Sequence, residues 1–207
     1  MPVSRPLKTL CWATLLACVL TNTGCVLAVG GAAVGSALVA TDRRSSGVQL
    51  EDVEIEHRVS KAMEPLFTRE SVHVDVTVYD GEVLLSGEVP TDKDRKDAET
   101  QAAYQQNVRH VTNDLSIGSL SGFSNSANDI LLATKVRAAL LDVKGLPPGV
   151  VKVSVTFGKV YLFGQVSRQE ADLAKDQAAH VSGVKRVMAL FKVLTPDEFS
   201  RLTPPGK

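Results

Sequence analysis

The sequence predicts an α+β protein made of two copies of one small domain, each running helix, strand, strand, helix, strand. Three observations carry this. The 207 residues are 44% hydrophobic and 22% charged, the balance of a globular chain of one or two domains. Beyond residue 50 the chain matches itself at an offset of 77: Val76-Thr77-Val78 faces Val153-Ser154-Val155, and Gly81–Val89 faces Gly158–Val166. Within each copy, apolar residues change from helical spacing to alternation at matching places.

In the first copy Ile55, Val59, Ala62 and Met63 recur at helical spacing, and Pro65 closes that helix. Val72, Val74, Val76 and Val78 alternate with polar residues as in a half-buried strand. Asp80-Gly81 predicts a tight hairpin, because a type I′ turn needs positive φ, which Gly supplies. Val83, Leu85 and Val89 continue the alternation. Gly87, like Gly164 in the second copy, interrupts it and predicts a close backbone approach, expected beneath a helix. Thr91 caps a polar helix to about Tyr104, and Val108, Val111, Leu115 and Ile117 supply the last strand. The second copy repeats the order: a helix over about 128–141, strands at 150–157 and 159–166, a helix from about Ser167, and a strand at 184–193. Ser121–Asn128 reads as a turn-rich linker, with Asn128 or Asp129 as helix cap. The expected division is a targeting segment 1–24, a Gly/Ala-rich stretch and polar linker 25–50, domains 51–118 and 128–194 joined by 119–127, and a flexible Pro-rich tail 195–207.

The N-terminus is a targeting signal. Arg5 and Lys8 precede an apolar run, Leu10–Leu20, too short to span a bilayer. Thr23-Gly24-Cys25 resembles a bacterial lipoprotein box, which makes Cys25 the acylated residue. Leu15-Leu16-Ala17-Cys18 fits the local pattern too, but leaves a cramped apolar run, so Cys18 stays as the alternative. Several acyl chains, at about 0.8 kcal/mol per buried methylene, hold a protein firmly on a membrane. Val26 stands where Asp commonly signals inner-membrane retention, which points to the outer membrane.

All three cysteines lie at or before Cys25, so the body has no thiol chemistry. His57, His73, His110 and His180 are scattered, without metal-ligand spacing. Asp92, Asp94, Asp97 and Glu99 alternate with Lys93, Arg95 and Lys96, as in a solvated helix laced with ion pairs. No catalytic residue, metal ligand or cofactor site is therefore expected, and no enzymatic activity. A formal charge of zero and 5% aromatics argue against nucleic acid as a partner.

These residues carry a resemblance. Val76, Val78, Gly81, Val83, Leu85, Gly87, Val89, Val108 and Val111, with Val153, Val155, Gly158, Val160, Leu162, Gly164, Val166, Val184 and Val187, resemble the pattern of the BON domain. Cys25, Thr41-Asp42-Arg43-Arg44 and Asn128-Asp129 extend the likeness to the dual-BON lipoproteins of the Gram-negative envelope. The resemblance implies two tandem αββαβ domains, each a small mixed three-stranded sheet covered by two helices. It also implies phospholipid association and a role in envelope integrity, at the outer membrane, facing the periplasm.

The copies differ electrically. Asp52–Gly118 holds 14 acidic and 7 basic residues, whereas 119–207 holds 7 acidic and 12 basic. In the first helix of the second copy, Leu131, Thr134 and Leu141 stand where the first copy is polar, with Ile130 one step earlier, beside Lys135, Arg137 and Lys144. Surplus apolar residues flanked by cations suit an anionic phospholipid surface. They also suit docking against the acidic first copy; the resemblance favours the lipid. The other function considered is a periplasmic protein-interaction or chaperone-like factor, with envelope proteins as partners.

Overall fold

The computed structural model describes residues 42–67, 72–118 and 124–203. Cys18, Cys25 and the Gly/Ala-rich stretch lie outside them. Residues Thr41–Lys207 make up one compact unit.

Helix α1 (Ser46–Met63) begins before its first buried apolar residue, because the Ser45 side chain accepts from the Val48 amide and nucleates the first turn. The polar linker expected up to residue 50 is therefore helical from Ser46 on. Strand β1 (His73–Tyr79) runs antiparallel to β2 (Glu82–Val89), and β2 runs parallel to β3 (His110–Ile117). Helix α2 (Asp92–Ala103) makes the crossover that a parallel pair requires. Thr91 caps it in a reciprocal box with Asp94, and its charged surface carries the expected ion pairs, Lys93 with Asp97 and both Arg95 and Lys96 with Asp92. The second copy repeats this with α3 (Ser124–Leu141), β4 (Lys152–Thr156), β5 (Lys159–Val166), α4 (Arg168–Ala179) and β6 (Arg186–Val193). Each domain is thus αββαβ with a mixed sheet in chain order.

Three local expectations are corrected. The tail begins with a helix, α5 (Pro196–Leu202), capped by Thr195 and Glu198. Asn128 and Asp129 lie inside α3 and cap no helix. The Asp129 carboxylate instead accepts from the Phe157 and Gly158 amides (2.6 and 2.8 Å), as Asp52 accepts from Asp80 and Gly81 (2.7 and 2.8 Å). These turn residues all have positive φ, so each aspartate satisfies amides that the hairpin turns away from its ladder. The third concerns Gly87 and Gly164. Their close neighbour is backbone rather than a helix: a Cβ on Gly87 would lie 1.9 Å from the His73 carbonyl oxygen, and one on Gly164 would lie 2.6 Å from that of Val150.

The helices cover one face of each sheet. Ile55, Val59, Val83, Leu85 and Ala98 form the first core; Leu132, Val136, Val160, Leu162 and Ala174 form the second. The other faces meet each other through Tyr79, Leu84, Tyr161 and Phe163, all buried, with Met188 and Leu190 against them. Burial of each large side chain stabilises by about 1.5–3 kcal/mol, so this contact joins the domains firmly. It follows the 77-residue duplication. Thr77 Oγ1 donates to Ser154 Oγ, its own counterpart, at 3.2 Å. The hydroxyl pair Ser86–Thr156 (3.0 Å) is exchanged by the same offset for Phe163 stacked on Tyr79 (6.2 Å). Asp114 accepts from Tyr161 and Lys159 at 2.7 and 2.9 Å. Burial raises its pKa, but these bonds outweigh burial and hold it below the ordinary value.

Asp42, Arg43 and Arg44 strap the domains together. Arg44 bonds to Asp42 and to the buried Asp52 (2.6 Å each) and lies 3.8 Å over the Tyr79 ring, in the first domain. Arg43 reaches into the second. It grips both oxygens of Glu170 at 2.7 and 2.8 Å, donates to the Gln165 carbonyl, and covers Phe199. Glu170 also accepts from the Ser167 amide as the cap of α4. Burial raises the Glu170 pKa, but the Arg43 and Ser167 bonds prevail and lower it. A carboxylate with a depressed folded pKa contributes stability above its unfolded pKa, near 4.5 here, and loses it as pH falls through the folded value. Glu170→Gln is expected to cost about 2 kcal/mol at pH 7, or roughly 5 °C in Tm. The gap from the parent should narrow as pH falls through the folded pKa; a gap that does not change with pH would show that the charge of Glu170 contributes nothing to the strap.

Candidate functional site

Helix α3 has two opposed faces. Leu132, Ala133, Val136 and Leu140 are buried on the second core's side. At about 100° per residue, Ile130, Leu141, Thr134, Ala138 and Leu131 fall in one arc on the opposite side. Ile130, Leu131 and Leu141 are 70%, 55% and 53% exposed. The Thr134 hydroxyl donates to the Ile130 carbonyl at 2.9 Å, so this face carries no unsatisfied polar group. Lys135 and Arg137 flank the arc, one on each side, and both are exposed. Arg137 is turned toward β4, where it donates to the Val153 carbonyl at 3.0 Å. Lys144 is exposed beyond the end of the helix.

The structure therefore brings Ile130, Leu131, Thr134, Lys135 and Leu141 onto one surface, with Arg137 at its edge. Ile130 borders a cleft shared with Glu56, His73 and Val76 of the first domain but stays exposed, and the buried contact that joins the domains is made by the sheets. At the equivalent positions α1 carries Val53, Glu54, His57, Arg58 and Glu64. Its Leu50 and Val53 are 62% and 64% exposed, but they sit beside Glu51 and Glu54. The apolar-and-cationic surface belongs to the second domain.

Sequence reasoning missed a neighbouring feature. Beside Leu131 and Lys135 lies a cavity of about 290 Å³, closed by the Phe157-Gly158 turn and by Ser182, Gly183 and Lys185 of the loop before β6. Lys185 is distant from Lys135 in sequence, and only the crossover brings them together. The matching of Arg109 with Lys185 across the duplication was the available signal. A larger cavity, about 510 Å³, opens between the sheets near Tyr79 and Phe163, where the charges Asp80, Arg109 and Lys192 already pair with one another.

The histidines lie apart. His57 is exposed on α1, His73 pairs with Asp75 at 3.1 Å, His110 opens β3, and His180 caps the end of α4. Among the described residues no group of three or more His, Cys, Asp or Glu side chains is placed to hold a metal ion.

A family model for the BON domain matches residues 51–119 and again 128–195. The chain belongs to the BON-domain family. Its two BON domains are the two αββαβ units described above. The dual-BON chain is 35% identical over 190 residues to a Haemophilus influenzae protein named outer membrane lipoprotein DolP, covering 91% of this chain and 97% of that one. It is 31% identical over 151 residues to the 21 kDa hemolysin of Actinobacillus pleuropneumoniae, covering 72% and 78%. Among solved structures, CdsD, a structural protein of the type III secretion system of Chlamydia trachomatis, aligns with 74% of this BON chain and 100% of its own, at 13% identity and a TM-score of 0.29. Among the described residues of the BON body, no helix is long and apolar enough to cross a membrane.

Proposed function

We propose that this chain is a non-enzymatic outer-membrane lipoprotein that supports envelope integrity. Acylated Cys25 anchors it, the body faces the periplasm, and the second BON domain rests on anionic phospholipid through the outward face of α3. The exposed arc of Ile130, Leu131, Thr134 and Leu141 between Lys135 and Arg137 carries this reading. The likeness to a relative named as an outer membrane lipoprotein supports the location.

The energies explain why two attachments serve better than one. Burying what remains exposed of three aliphatic side chains yields about 1 kcal/mol each, and each cation near an anionic surface adds about 1 kcal/mol. The sum, about 5–6 kcal/mol, corresponds to a dissociation constant near 0.1 mM, which is weak alone. A chain already anchored presents the surface at roughly millimolar effective concentration, so the second contact closes readily. Lys144, past the helix end, adds to the same field.

Flotation of the Thr41–Lys207 body, which carries no acyl chain, tests the reading. The body is expected to float with vesicles containing phosphatidylglycerol, less so at raised salt, and not with phosphatidylcholine alone. Absence of flotation, or equal flotation with both, contradicts it and favours a protein-binding role.

A further inference from the structure

We propose that the cavity beside α3 is a phosphate site, with Lys135 and Lys185 as its two cationic arms, and that it takes the phosphodiester of a phospholipid headgroup. This deepens the lipid-contact reading and rests on it for the source of the phosphate.

The duplication supplies an internal control. The first domain has a cavity at the same place, lined by Glu51, Asp52, Asp80, Gly81, Asn107 and Arg109. The backbones are held alike: the Arg109 amide donates to the Gly81 carbonyl, and the Lys185 amide to that of Gly158, both at 2.9 Å. The basic side chain also lies along the hairpin in both. A Cβ on Gly81 would come within 3.2 Å of Arg109 Cγ, and one on Gly158 within 3.2 Å of Lys185 Cγ. What differs is the acid. In the first domain Arg109 pairs with Asp80 at 2.7 Å, Arg58 pairs with Glu54, and Glu51 accepts from Asn107. In the second, Phe157 stands for Asp80, Leu131 for Glu54, and Asn128 for Glu51.

Three carboxylates are thus gone while both cations are kept. Among the described residues, neither Lys135 nor Lys185 has a carboxylate partner. The remaining acid, Asp129, is held by two turn amides, so the cavity has a net charge of +1. Lys185 is exposed and lines the cavity, with its stem lying along the Gly158 turn. Leu131 borders both the cavity and the outward face. A phosphate seated between the lysines would leave its acyl chains lying toward the apolar arc, which a freely diffusing phosphate does not require.

The test is an NMR titration of the Thr41–Lys207 body with inorganic phosphate and, separately, with dihexanoyl phosphatidylglycerol below its micelle concentration. Both probes are expected to shift the amides of Gly158, Ser182 and Gly183, the lipid at lower concentration. Lys135→Gln with Lys185→Gln should erase those shifts and weaken binding to phosphatidylglycerol vesicles about 30-fold. Phe157→Asp, which restores the first domain's acid at a positive-φ position that Asp tolerates, should do nearly the same. Lys175→Gln, elsewhere on the second domain, should change vesicle binding less than about twofold. Silence of the three amides with both probes overturns the site. Shifts with phosphate but none with the lipid overturn the headgroup assignment. A loss from Lys175→Gln equal to that from Lys185→Gln shows diffuse charge and overturns the site too. If the double variant keeps its vesicle binding while Leu131→Glu loses it, the cavity assignment fails and the membrane reading stands. If the parent body binds no vesicles, the membrane reading fails, and with it the lipid source of the phosphate.

Discussion

Gly87→Ala is expected to destabilise the body by about 4 kcal/mol. The added carbon would sit 1.9 Å from the His73 carbonyl oxygen and 2.9 Å from its carbon. Both are backbone atoms of the strand that pairs with it, with Val74 opposite Gly87 in register. They cannot retreat without opening the β1–β2 ladder. The φ of +130° adds strain for any residue with a Cβ. Gly164→Ala is a built-in comparison. Its nearest atom, the Val150 carbonyl oxygen, is 2.6 Å away, but Val150 precedes the paired residues of β4 and Gly164 has no positive φ. A cost of about 2 kcal/mol follows there. At roughly 2–4 °C per kcal/mol for a body of this size, Gly87→Ala should lower Tm by about 10 °C and Gly164→Ala by about half that. Thermal unfolding that finds the order reversed, or Gly87→Ala within 2 °C of the parent, would contradict the backbone-approach account.

Leu131→Glu should weaken binding to phosphatidylglycerol vesicles at least tenfold and leave folding unchanged within about 0.5 kcal/mol. The substitution removes an insertable side chain and sets a carboxylate against anionic headgroups, beside Lys135, whose charge it also neutralises. Folding should tolerate it because Leu131 is half exposed and because the first domain already folds with Glu54 at this position. Flotation paired with a Tm measurement separates the two effects. Unchanged binding would remove α3 from the membrane contact.

Much of the fold was legible because the sequence states it twice. A helical period that gives way to alternation, Gly at the hairpin, and Thr91 before a polar helix are local signals, and each has a counterpart 76–77 residues on. What joins the domains was less legible. Leu84, Tyr161 and Phe163 are apolar out of phase with the alternation that places Val83, Leu85, Val160 and Leu162 against the helices. Such runs mark strands buried on both faces, but periodicity cannot say what lies on the second face. Asp42-Arg43-Arg44 reads as a polar linker because charge usually means solvent; their partners Asp52, Tyr79 and Glu170 are brought near only by the tertiary fold. The outward arc of α3 was legible as excess apolar residues on a helix whose core face was already supplied. Lys185 was not, since its approach to Lys135 depends on the α4 crossover. The backbone neighbour of Gly87 was hidden for the same reason: a strand-interior glycine announces a close approach without naming the partner.

Paramagnetic relaxation on the isotopically labelled body, added to nanodiscs that contain phosphatidylglycerol and a headgroup-level spin-labelled lipid, addresses the lipid contact residue by residue. Signal loss is expected to be greatest at Ile130, Leu131, Thr134 and Leu141, with Leu50 and Val53 of the acidic domain nearly unaffected. Loss centred on α1, or spread evenly over both domains, would contradict a membrane-facing α3.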